Sequence, residues 1–153
     1  MIPQFEGLSL AEMNVLLDAT PYITVLVAGA DGLIESEEQD WAVRLAEIRG
    51  FSNLSDEMNA YYDLVNERFD KRMLEIMDQF PTKVEDRNRL IALELSKLND
   101  VLPKLEAKFA KKIYLSYLSF AEQIAKATGG FLRAGSISRA EKAVIGLDMI
   151  NPI

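Results

Sequence analysis

Between residues 56 and 80, apolar side chains recur every three or four positions, at Met58, Tyr62, Val65, Phe69, Met73, Ile76 and Phe80. Only a helix gathers such a series onto one face. At 1.5 Å per residue the stretch predicts a rod of roughly 37 Å, ended by Pro81, whose ring disfavours helical backbone in the residue before it. No segment alternates apolar and polar residues with the period of two that a half-buried strand needs. A rod of this kind must bury one stripe, and with no sheet on offer the stripe must be covered by other helices.

Capping signals supply those helices. Ser9 and Glu12 form a capping box ahead of Met13, Leu16 and Leu17, and Thr20 with Pro21 at the first helical position predicts the start of a second, largely buried helix through Val25, Leu26 and Val27. Trp41, Leu45 and Ile48 predict a third that Gly50 ends. After the long rod, Thr82 and Glu85 read as another capping box opening a helix with Val84, Ile91, Leu95 and Leu98 on one face. Asn99 and Asp100 before Pro103 mark a break. A further helix carries Leu105, Phe109, Ile113, Phe120 and Ile124 up to Gly129 and Gly130, and Ser138 with Glu141 caps a last one through Ile150. The expectation is an all-α, single-domain bundle of about seven helices over residues 1–153. With 153 residues, 49% of them apolar, such a chain buries about 68–70% of its unfolded surface and needs no covalent staple.

The chain contains neither cysteine nor histidine. Structural zinc, iron–sulfur clusters, imidazole-held haem, histidine-based triads and thiol nucleophiles are thereby excluded, and no enzyme is expected. The net charge of −7 argues against nucleic acid as a partner. It is unevenly spread: residues 1–99 carry 19 acids and nine bases, residues 100–153 five acids and eight bases. No base precedes Arg44, so no secretory leader is expected, and the charge-free apolar stretch at residues 19–30 falls short of a membrane span. A cytoplasmic protein is the expectation. Gly130 and Gly135 have the glycine spacing of a P-loop, but Ser136 and Ile137 stand where its Lys and Ser/Thr belong. Lys104, Lys108, Lys111 and Lys112 fall nearly on one side of their helix, as a solvated face or as a dock for an acidic partner or anionic lipid headgroups. Tyr61, Tyr62, Tyr114 and Tyr117 read as core residues whose hydroxyls reach the surface, and Met58, Met73 and Met77 as core filling.

The densest charge lies at residues 31–40, where Asp31, Glu35, Glu37, Glu38 and Asp40 stand with no base among them. Carboxylates so close together need solvent, the positive end of a helix, or a shared cation. Without imidazole or thiolate, the hard cations Ca, Mg or Mn fit. Asp31, Gly32, Ile34 and Glu38 match the second half of an EF-hand loop, while Val27 and Gly29 stand where its first two ligands belong. A purely structural account also covers these residues: acids favoured by the macrodipole, Glu38 folding back as a capping-box partner of Glu35, and Gly32 serving the turn. A fainter copy lies 103 residues later at Gly135, Ile137 and Glu141, with Ala134 in place of the aspartate and Ser138 in place of Glu35.

The run Ala30-Asp31-Gly32-x-Ile34-x-x-x-Glu38, with its later echo Gly135-x-Ile137-x-x-x-Glu141, resembles the TerB-like domains of bacterial tellurite-resistance proteins. The resemblance implies two pseudo-repeated helical hairpins, a cytoplasmic bacterial stress-response protein without catalytic activity, and an acidic surface that binds metal ions or partner proteins. Asp31 and Glu38 carry the resemblance, and with Glu35 they form the expected site for a divalent cation or a basic partner. Ala134 departs from the pattern and weakens any site that needs both turns. The alternative is a metal-free helical scaffold for other proteins, including a homodimer.

Overall fold

A computed structural model describes residues 2–28, 55–128 and 146–153. The described residues are helical with no strand: α1 (Leu10–Ala28), α2 (Asp56–Gln79), α3 (Val84–Ser96), the single-turn α4 (Leu98–Val101) and α5 (Ala107–Thr128), with 3-10 turns at Pro3–Phe5 and Leu102–Lys104. The all-α class therefore holds. Of the seven expected helices, the third, around Trp41, and the start of the last lie outside the described residues.

The long rod is α2, and Met58, Tyr62, Val65, Phe69 and Ile76 are buried along it as the periodicity requires. The first capping box is also formed: the Ser9 backbone N–H donates to Glu12 Oε1 at 3.0 Å, and the Glu12 N–H donates to Ser9 Oγ at 3.1 Å. At Thr20 and Pro21 the expectation fails. No second helix starts there; α1 runs straight through, with Pro21 inside it. From Asp18 to Val27 every residue is buried, and a break in that setting would strand several backbone polar groups away from water. Losing the one bond that Pro21 cannot give costs less. Thr20 is thus an interior residue and not a cap, and its carbonyl accepts from Thr24 Oγ1 at 2.8 Å.

Three further boundaries move. Lys83, not Thr82, is the N-cap of α3, and no side chain caps it, so the second capping box is not formed. The helix expected from Pro103 begins at Ala107, because Pro103 is used in a 3-10 turn; the Glu106 carboxylate then accepts from the Phe109 N–H at 3.1 Å. The last helix does not reach Ile150. Leu147 has a left-handed φ of 48°, which ends any right-handed helix, and residues 146–149 form turns. Leu147 and Ile150 are nonetheless buried, and Asn99 ties this terminal turn down, donating to the Met149 carbonyl at 3.0 Å and accepting from the Asn151 N–H at 2.7 Å.

All the other described helices pack on α1. Bonded partners along α1 and α2 rise together in number, from Leu16 with Tyr61 to Tyr22 with Arg72, so these two helices run in the same sense. The same holds for α2 and α5, from Glu57 with Lys112 to Tyr62 with Ser116. At the centre Tyr61 and Tyr117 are fully buried and both hydroxyls converge on the Leu16 carbonyl, at 2.5 and 3.1 Å, with 2.6 Å between them. Those two hydroxyls do not reach the surface, contrary to the sequence reading. Burial pushes both phenols well above their ordinary range, so they stay protonated as donors. By length and composition Leu10–Val27 would pass as a membrane span, yet 61% of it is buried in this core.

Tyr61→Phe strips one donor from the Leu16 carbonyl and leaves the Tyr117 hydroxyl bonded to that carbonyl alone. Chemical denaturation should show a loss of about 1–3 kcal/mol, with the helix content of the folded state unchanged.

Candidate functional site

Asp31, Glu35 and Glu38, the expected cation ligands, lie outside the described residues, as does the second turn at residues 134–141. Among the described residues no group of three or more acidic side chains comes together to hold a metal ion. What the described residues do bring together is a buried ionic cluster on the flank of α1.

Its centre is Asp18, a single acid within the buried stretch of α1 and only 8% exposed. Arg68 and Arg72 stand four residues apart on α2, one turn above the other, and both face it. Arg68 Nη2 lies 2.7 Å from Asp18 Oδ1 and Arg72 Nε 3.2 Å from Oδ2. Neither contact has the alignment of a directed hydrogen bond, so the attraction is chiefly ionic. The remaining guanidinium edges go elsewhere. Arg68 Nη1 donates to Asn14 Oδ1 at 2.9 Å, Arg72 Nη1 to Glu75 at 2.9 Å, and Arg72 Nη2 to the Tyr22 hydroxyl at 2.6 Å. The Arg72 guanidinium also sits 5.4 Å from the centre of the Tyr22 ring, a cation–π distance.

Burial pushes the Asp18 carboxyl above its ordinary range, and the two arginines pull it only partway back. Burial likewise raises the Tyr22 phenol. A cleft of about 370 Å³ opens beside the cluster, lined by Asn14, Asp18, Tyr22, Arg72, Glu94 and Lys97 among others. A second hollow of about 320 Å³ is lined by Arg68, Lys71, Arg72 and Glu75. In the first, opposite charges are already matched, while the second sets Glu75 among Arg68, Lys71 and Arg72. Glu94 accepts from Lys97 at 2.8 Å, and Glu12 holds Lys104. The cluster therefore acts first as a polar latch that sets the register of α2 on α1. No nucleophile paired with a base is present among its residues.

Sequence reasoning missed this cluster. Its signal was Asp18 itself, one acid in a run otherwise apolar enough to be buried, which obliges a partner. Arg68 and Arg72 on one helix face were the available answer.

Asp18→Asn leaves both guanidiniums without their counter-charge. Because burial outweighs the pull of both arginines on the Asp18 carboxyl, removing its charge also removes a desolvation cost, so denaturant titration at neutral pH should show little loss of stability. The pH dependence has a definite sign. The folded protein holds the Asp18 proton more tightly than the unfolded chain, whose value is 3.8. Asp18's contribution is therefore greatest at low pH and falls as pH rises from 3.8 through its higher folded value. The variant's stability curve should lack that decline. Comparison with family models, curated proteins and solved structures finds no match to this chain.

Proposed function

We propose that the chain is a non-enzymatic, TerB-like helical protein, cytoplasmic and of the stress-response kind, in which the acidic stretch beyond α1 binds a divalent cation. Asp31, Glu35 and Glu38 are its ligands, and a basic segment of a partner protein is the other guest the same charges would accept. Two pseudo-repeated hairpins, one entering at Gly32 and one at Gly135, belong to this reading.

The observation that carries it is the charge in and after α1. Its last turn contains no basic residue, and Val25, Leu26 and Val27 in that turn are buried. The final carbonyls of a helix carry partial negative charge and need donors or positive charge. The chain supplies the opposite: Asp31 comes three residues after Ala28, four more acids come by Asp40, and no base appears before Arg44. A hard cation relieves the mutual repulsion of such carboxylates. Calorimetric titration of Ca, Mg and Mn is the test. At least one should give saturable heat with the native chain and none with Asp31→Asn/Glu38→Gln; equal heats from the two proteins would contradict the proposal.

A metal-free scaffold or homodimer is the second reading, and exposed leucines favour it. Leu74 on α2 is 71% exposed and Leu93 on α3 is 57% exposed, positions where a surface helix ordinarily carries polar residues. Self-association in sedimentation that chelator leaves unchanged and Leu74→Ser/Leu93→Ser abolishes would support it.

A further inference from the structure

The outer face of α5 reverses the charge of the rest of the molecule. Lys108, Lys111, Lys112 and Leu115 fall at intervals of three and four, so they share one side of the helix, and all four are exposed. The opposite side, at Phe109, Ile113, Tyr117 and Phe120, is buried in the core. Lys104, in the turn just before, adds a fourth base. Lys104 and Lys112 are steadied by ion pairs to Glu12 and Glu57, yet their side chains remain 56% and 47% exposed. Leu115, half exposed, sits one turn beyond the lysines. The face turns acidic again only at Glu122.

We propose that this face rests on an anionic lipid bilayer. Four bases on and before one amphipathic helix form the pattern that anionic headgroups attract, and a leucine beside them can enter the boundary between headgroups and acyl chains. The two clefts described above are lined from α1, α2, α3 and the residue after it, not from α5. Neither cleft extends to the α5 face, and a deformable lipid surface, which needs no preformed groove, suits it. The chain as a whole, at a net charge of −7, is repelled by the same surface. The attraction is local and opposed by the net charge, so it is weak and sensitive to salt.

Co-sedimentation with vesicles at low ionic strength, with chelator present, tests this. The full chain should pellet with mixed phosphatidylglycerol and phosphatidylcholine vesicles, stay in solution with pure phosphatidylcholine, and be released by added salt. Lys108→Glu/Lys111→Glu should weaken partition about tenfold or more, and Leu115→Ser should weaken it without altering the salt dependence. These side chains are exposed, so circular dichroism of both variants should match the native chain. No pelleting at low salt, equal pelleting with both lipids, or indifference to the double charge reversal would overturn the proposal. Binding to soluble polyglutamate without binding to vesicles would also overturn it and assign the face to an acidic polypeptide.

Discussion

The all-round burial of α1 is the constraint on which the rest depends. From Asp18 to Val27 no residue of this helix is left in water, and it is covered by α2, α3, α4 and α5 in turn. A helix surrounded in this way has no solvent-facing side on which to leave a polar group. Its polar side chains turn inward for partners, Thr24 to the Thr20 carbonyl on the same helix and Asp18 to the arginines of α2. Tyr61 and Tyr117 come from two different helices and meet on the Leu16 carbonyl, while Asp18 draws Arg68 and Arg72 from a third position along the same flank. These polar contacts fix how α2 and α5 sit, because apolar packing alone tolerates sliding and a buried hydrogen bond does not.

The same helix links fold to function. Its interior is specified by the tyrosines and the ionic latch, its start by the reciprocal bonds of Ser9 and Glu12, and its end by nothing basic. The sequence that follows it carries the acidic residues 31–40. Packed on the same helix, α5 displays Lys108, Lys111 and Lys112 outward.

Much of the fold was legible in the sequence because periodicity reports burial directly. The stripe on α2 and the box at Ser9 were both readable for that reason. Boundaries set by competition were not. Thr20 and Pro21 have the composition of a helix start, but that signal is local, and the cost of exposing buried backbone overrode it. Thr82 was likewise displaced by Lys83, and Leu147 adopted a left-handed turn that no leucine advertises. Tyr61 reads as a core residue from the sequence and is one, yet the carbonyl its hydroxyl serves lies 45 residues away in sequence, which no local pattern encodes. The acidic site was legible only as charge density and a nine-residue likeness.

Native-state hydrogen exchange measured along the chain tests most directly whether α1 organises the structure. If it does, the amides of Leu16, Ala19 and Ile23 through Val27 exchange only when the whole molecule unfolds, with the same free energy and denaturant dependence as the best protected amides of α2 and α5. Faster exchange in α1 through local opening, while α2 and α5 stay protected, would show that those helices hold together without it and would contradict the account.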